Sequence, residues 1–452
     1  MLERIFRLNE NNTTVRTEVI AGITTFMTMA YILAVNPNIL SAAGMDATAV
    51  LIATCLASFV GTICMALLAN YPFALAPGMG LNAYFAYTVC GNMGYDWRVA
   101  LAAVALEGVI FIILSLTNVR EAIFNAIPST LKKSVSAGIG LFIAFIGLQN
   151  AHLVVNNDST LLSYVDFAGN IHTEGICAIL ALIGTFIITV LYFKHVKGSI
   201  LIGITATWIL GMLAQAAGIY VVDAENGFYS LYPAFHLTDF TKIGETFGQV
   251  FRADFSGVNL GNFIVVLFAF LFVDMFDTIG ALVGVATKAD MMDENEKLPK
   301  VKQALLADAV ATTAGAIFGT STTTTYVESS AGIGAGARTG LASIVTGFLF
   351  LAAIFFAPVF TAIPGFATAP ALIFVGFLMI GAIVQIDFDD LTEAVPAYLC
   401  LLSMPLLYSI SEGIAMGVIS YVIINVCCGK AKKITPLMYI LAVLFICKYI
   451  FL

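Results

Sequence analysis

Three carboxylates, Asp274, Asp277 and Glu328, stand inside segments that are otherwise apolar over membrane-spanning lengths. An ionised side chain near a bilayer centre costs roughly 2.5–3.5 kcal/mol on insertion scales, so such residues mark substrate or ion pathways. They can accept hydrogen bonds from a polar solute and take up a proton reversibly. Asp274 and Asp277 are spaced i, i+3, which places both on one face of a helix read over 258–286. Two carboxylates on one desolvated face resist simultaneous ionisation, which makes one of them a candidate proton carrier. Glu328 falls near an expected helix start, where the dipole favours an anion. The two aspartates also have structural readings: Asp274 as a cap on a broken backbone carbonyl, Asp277 as the partner of a Lys or Thr in a neighbouring helix. Glu107 and Asp308 also lie in spans, but next to no interruption, and read as packing or helix-to-helix hydrogen bonding.

The apolar segments must position these acids. Spans are read near 17–36, 47–69, 97–116, 129–150, 174–193, 198–218, 258–286, 303–319, 339–360, 369–386, 395–409 and 412–428. Two further segments, near 73–90 and 321–337, are apolar but interrupted. Pro72, Pro77, Gly78 and Gly80 break the first; Thr320 to Thr325, then Gly332, Gly334 and Gly336, break the second. Proline and a β-branched run disfavour continuous helix, so each segment is expected to enter extended and turn helical partway. Non-helical backbone at membrane depth survives only where protein or a polar cavity satisfies it. Two half-helices starting there would present free N–H groups to a slot between them. Gly78 and Gly80 permit close backbone approach, and Asn82 offers a donor and an acceptor. Such a slot suits a flat solute with adjacent donors and acceptors.

Composition narrows the class. Of 452 residues, 60% are hydrophobic and 11% charged, about half the charged fraction of a soluble domain. The net charge of −8 comes without a basic stripe, which leaves no nucleic-acid surface. The eight cysteines lie within or at the ends of apolar segments without CxxC spacing and read as small buried hydrophobes. The stretch Gly332 to Gly340 lacks the Gly-Lys-Ser/Thr ending of a Walker loop, so no ATP-driven engine is encoded. Met1 to Arg16 is polar, unlike a cleaved signal peptide, and is expected to be retained.

Loop charge sets orientation. Arg4, Arg7 and Arg16, then Arg120, Lys132 and Lys133, then Lys194 and Lys197, then Lys288, Lys297, Lys300 and Lys302, all fall on one side if the interrupted segments each cross once. The connections 151–173 and 219–257 carry only Lys242 and Arg252. The positive-inside rule puts the N-terminus in the cytoplasm of a cell inner (plasma) membrane. Treating 395–409 and 412–428 as a hairpin returns Lys430, Lys432 and Lys433 to that side and gives fourteen spans. The tail 435–452 stays open between an interfacial helix and a fifteenth crossing. Asn82 and Glu328 are 246 residues apart, and the echo Ala126-Ile127-Pro128 and Ala362-Ile363-Pro364 is offset by 236. These near-equal offsets suggest two inverted halves of seven spans, with the paired broken segments marking a midplane site.

Three runs are recognisable: Ala76-Pro77-Gly78-Met79-Gly80-Leu81-Asn82-Ala83, Asp274-Met275-Phe276-Asp277-Thr278-Ile279-Gly280 and Thr324-Thr325-Tyr326-Val327-Glu328-Ser329-Ser330-Ala331-Gly332. Together they resemble the AzgA-like purine permeases of the nucleobase/ascorbate transporter superfamily, over the chain from Thr17 to about Cys428. The resemblance implies a uracil-permease-like, all-α fold of fourteen segments, with segments 3 and 10 interrupted. It implies a core domain of 1–117 and 258–361 moving against a gate domain of 118–218 and 362–428. An extracellular connection, 219–257, and a basic turn with an apolar tail, 429–452, complete it. It further implies Asp274 and Glu328 as substrate-binding acids, Gly80 and Asn82 as third-span contacts, and Asp277 as a second transport acid. Thr325 and Phe276 join the expected substrate contacts, with Phe26 and Phe85 as other stacking rings. Proton coupling is assigned among Asp277, Asp274 and Glu328. The function implied is proton symport of a purine, hypoxanthine or guanine first, without a cofactor and with a homodimer suggested by related folds.

Other readings remain: an adenine-specific permease, an anion carrier of the same fold, and an intramembrane aspartyl protease. Carboxylates at the site would repel an anion. A protease pair should come from two helices, whereas Asp274 and Asp277 share one. The four histidines, His152, His172, His195 and His236, all lie in loops or at span ends, and no HExxH occurs.

Overall fold

Long apolar runs satisfy their own backbone as helices, and ten helices among the described residues are long and apolar enough to cross a membrane. The computed structural model describes residues 2–117, 127–223, 227–233, 237–288, 291 and 298–451. Arg120, Ala126, His236 and Lys297 lie outside the described residues.

After a short α1 (Leu2–Phe6), Thr14 caps α2 (Val15–Met29) by accepting the Thr17 amide. The expected span 17–36 is not one straight helix: α2 gives way at Ala30 and Tyr31 to α3 (Ile32–Ser41). Thr24, Thr25 and Thr28 bond back to carbonyls three and four residues earlier, which bends helices. Asp46 caps α4 (Ala47–Cys64), which runs through a wider turn to Ala69 and stops at left-handed Asn70. The first interrupted segment then forms β1 (Leu75–Pro77) and α5 (Met79–Ala83), continuing as a wide π turn to Asn92. There follow α6 (Trp97–Leu116), α7 (Ser129–Asn150), a hairpin of β2 (Val154–Asn157) and β3 (Leu161–Tyr164), α8 (Glu174–Phe193) and α9 (Ser199–Ala216).

After the 219–257 connection come α10 (Leu260–Lys288) and α11 (Val301–Phe318). The second interrupted segment forms β4 (Thr323–Thr325) and α12 (Ser329–Gly334). The chain ends with α13 (Gly340–Ala353), α14 (Ala357–Thr361), α15 (Gly365–Ile380), α16 (Leu391–Leu406), α17 (Ile410–Cys427) and α18 (Pro436–Phe451). The chain is therefore helical but not purely so. β1 pairs antiparallel with β4, and β2 with β3. Hydropathy starts α16 too late, because its first turn is polar and is set by Asp390 accepting the Thr392 amide.

Two sets of helices pack among themselves. One joins α2, α3, α4, α6, α11, α12 and α13; the other joins α7, α8, α9, α15, α16 and α17. Buried Glu18 links α2 to α13 by accepting the amides of Arg338, Thr339 and Ala342, the last two among the orphan donors at that helix start. Its role was not visible in the sequence. The tail is a helix whose Met438, Leu441, Ala442 and Phe445 are buried at helical spacing. Lys448 and Tyr449 anchor it to Glu412 of α17. Cys427, Cys428 and Cys447 are exposed rather than buried.

Candidate functional site

The two interrupted segments cross each other in register, Leu75 opposite Thr325, Ala76 opposite Thr324 and Pro77 opposite Thr323. Beyond the strands, the Gly78 amide donates to Thr322 O at 3.0 Å and the Tyr326 amide to Ala74 O at 3.0 Å. Hydroxyls from the surrounding helices bind the remaining extended backbone. Thr62 both donates to Leu75 O and accepts its amide, Ser329 accepts the Ala74 amide, and Thr312 donates to Thr323 O. The Tyr326 hydroxyl reaches Pro77 O at 2.5 Å and ties the strands a second time. Unpaired peptide groups would be costly at this depth, so these partners are what permit the break.

Beside the crossing lies a cavity of about 490 Å³, within the range of small-molecule sites. Of the residues expected at the site, Glu328, Asp277, Gly80, Thr325 and Phe276 line it. Glu328 stands at the start of α12, and its Oε1 accepts the Tyr31 hydroxyl at 2.7 Å. Tyr31 also lines the cavity. It escaped the sequence reading, although a tyrosine hydroxyl inside a span needs a partner and was a usable signal. Asp277 bonds the Thr324 hydroxyl of β4. A Cβ on Gly78 would meet Asp277 and Thr324 at 3.3 Å, so the missing side chain admits this approach. A Cβ on Gly80 would sit 2.6 Å from Ile139 Cγ2 of α7, so Gly80 sets the spacing between the broken segment and α7. The Phe276 ring meets Phe272 edge-on at 4.8 Å. Phe26 pairs with Phe350 and Phe85 with Phe270, and neither lines the cavity.

Asp274 and Asn82 sit behind the cavity wall, both fully buried. Three residues advance a helix by about 300°, so Asp274 is turned about 60° from Asp277, enough to face a different neighbour. Thr278 Oγ1 lies 2.9 Å from Asp274 Oδ1 and 2.9 Å from Asp308 Oδ1. One hydroxyl has one proton to give, so both contacts are fully made when one carboxyl also carries a proton. Asp308 thus bonds helix to helix, from α11 to α10, as the sequence suggested, and through Thr278 it also joins Asp274. Glu107 likewise adjoins a break after all, because its Oε2 accepts the Thr322 hydroxyl at 2.8 Å. Asn82 Oδ1 accepts from Ser321, and its Nδ2 has no hydrogen-bond partner among the described residues.

Multiple apolar helices around a cavity walled by two crossed, broken segments define a polytopic membrane transporter. The chain belongs to the family described as Permease family (Xan_ur_permease), whose model matches residues 16–446. It is a transporter and not an enzyme. It is 46% identical to the guanine/hypoxanthine permease PbuG of Bacillus subtilis, covering 100% of both chains. It is 42% identical to the adenine permease AdeP of Escherichia coli, covering 100% of this chain and 96% of that one. Among solved structures, the transmembrane domain of a cyanobacterial bicarbonate transporter, BicA, superposes with a TM-score of 0.64 at 15% identity. That match covers 89% of this chain and 97% of BicA's, and it shows the fold alone.

Proposed function

We propose that this permease imports purine nucleobases, hypoxanthine and guanine first with adenine as the alternative, by proton symport. The observation that carries this reading is a carboxylate, Glu328, held by Tyr31 at the mouth of a half-helix and facing a cavity of small-molecule size. The relatives named as guanine/hypoxanthine and adenine permeases support the substrate class. Glu328 accepts hydrogen bonds from ring N–H groups, amides at the start of α5 bind ring acceptors, and Phe276 and Tyr31 flank the ring. Thr325 and Gly80 complete the contacts. Asn82 and Asp274 act one layer back, Asn82 on Ser321 and Asp274 through Thr278. Asp277, beside the cavity, exchanges the proton with the medium, and the Asp274–Thr278–Asp308 chain holds its counterpart.

In this reading the chain has fourteen segments in two inverted repeats of seven, segments 3 and 10 being the crossed ones, and its N-terminus is cytoplasmic. The in-register antiparallel crossing of β1 and β4 supports an axis in the membrane plane. So does the placing of Pro128 and Pro364 directly before α7 and α15, which pack together. The core, 1–117 and 258–361, rocks against the gate, 118–218 and 362–428, and a homodimer forms through the gate. The 219–257 connection is extracellular, and the 429–452 tail braces the gate. The cavity reaches from the strand crossing to Ser136 of α7 and Gln385 beyond α15, toward the proposed cytoplasmic face.

The test is uptake of labelled hypoxanthine by cells lacking their own nucleobase permeases, with purines, uracil and bicarbonate as competitors and a protonophore control. Protonophore-sensitive uptake competed by purines alone is expected. Uptake that survives the protonophore removes the symport, and no uptake of any base by inserted protein removes the substrate class.

A further inference from the structure

A second, larger pocket of about 830 Å³ lies apart from the strand crossing, among Arg7, Asn70, Tyr71, Lys300 and Arg338. Its floor is built. Asn70, in the left-handed conformation, donates to Phe6 O at 3.1 Å and accepts the Gly340 amide at 2.9 Å, which joins the N-terminal segment to α13. Lys300 leans on Ala69 O at 3.3 Å. Tyr71 is only 8% exposed, yet its hydroxyl has no hydrogen-bond partner among the described residues. A buried hydroxyl left without a partner has lost its water without compensation, so a ligand atom that bonds it is favoured.

The charges around that hydroxyl specify the ligand. Among the described residues three cations line the pocket, Arg7, Lys300 and Arg338, against one acid, Glu10, which Arg7 already pairs with at 3.5 Å. Glu18, on the backbone side of Arg338, is committed to the amides of α13. One guanidinium nitrogen of Arg338 holds the carbonyls of Ile333 and Ala337, which leaves the others of its five donors to turn toward the pocket. A fork of guanidinium donors, an ammonium and a phenol O–H together match the oxygens of a phosphate group.

We propose that this pocket binds a soluble phosphomonoester of sugar-phosphate size, its phosphate on Lys300, Arg338 and the Tyr71 hydroxyl, with Arg7 at the mouth. The assignment is independent of the purine reading, since it uses none of the residues at the strand crossing. The ligand would sit four residues before β1 and against the arginine that holds the end of α12, in contact with both interrupted segments.

The experiment is thermal unfolding of the purified full-length protein with ribose 5-phosphate, ribose or inorganic phosphate, in detergent and in nanodiscs of phosphatidylcholine or phosphatidylglycerol. Ribose 5-phosphate is expected to raise the transition temperature and ribose to leave it unchanged, with inorganic phosphate giving a smaller shift. Tyr71→Phe, which keeps the ring, and Lys300→Gln should each weaken the apparent affinity for ribose 5-phosphate about tenfold. Equal shifts with ribose, no shift, or a shift indifferent to both substitutions overturns the site. Protection by phosphatidylglycerol that ribose 5-phosphate does not displace overturns the soluble ligand in favour of a lipid headgroup.

Discussion

At the residue scale, the site rests on few atoms, and each can be removed singly. Glu328→Ala is expected to abolish uptake while the protein stays inserted, as measured by labelled-base transport beside a surface-expression assay. Normal transport by that variant would end the assignment of Glu328. Tyr31→Phe keeps the ring but removes the hydroxyl that holds Glu328. A hydrogen bond to a charged group contributes about 1.5–3 kcal/mol, so KM should rise roughly ten- to a hundredfold. Thr278→Val should act differently. It severs Asp274 from Asp308 without touching the cavity, so the pH profile of uptake should shift while purine binding to purified protein changes little. Equal loss of binding and transport would make Thr278 a structural residue only.

At the element scale, helix ends are set by polar residues that hydropathy passes over. The carboxyl of Asp390, which caps α16, is held well below its ordinary value of 3.8, first by the Thr392 hydroxyl and then by Lys430. A depressed carboxyl stabilises the fold above the pKa of the unfolded chain, and that contribution is lost as pH falls through the folded one. The difference in melting temperature between wild type and Asp390→Asn should therefore be constant above about pH 4 to 5 and shrink at lower pH. A difference that grows on acidification would contradict it. The break between α2 and α3 and the capping of α13 by Glu18 follow the same logic, since both are side chains acting on backbone from another turn or another helix.

For the whole molecule, the proposed rocking requires that the core, 1–117 and 258–361, and the gate, 118–218 and 362–428, touch lightly where they slide. Gly80 meets Ile139 of α7 across that boundary. Gly80→Val should press core and gate apart and slow uptake, and adding Ile139→Ala should restore much of it. Rescue would assign Gly80 to spacing, whereas its absence would return Gly80 to direct substrate contact. The family of the chain shows that it transports; which surfaces move is what this pair of variants reads.

The apolar runs determined where most helices lie, because a segment at membrane depth must satisfy its own backbone and leaves a long hydrophobic signature. Both interrupted segments were legible for the converse reason: Pro77 and the threonine run cannot continue a helix. So were Glu328 and Asp277, since acids in such surroundings are rare. The pairing of β1 with β4 was decided by contacts some 250 residues apart, which no local pattern encodes. Partnership was likewise tertiary: Tyr31 with Glu328, Glu107 with Thr322, and Asp308 with Asp274 through Thr278. Sequence spacing put Asp274 and Asp277 on one face, but a turn of 60° separates a cavity wall from the layer behind it. Residue type dictated which groups need partners; only packing supplied them.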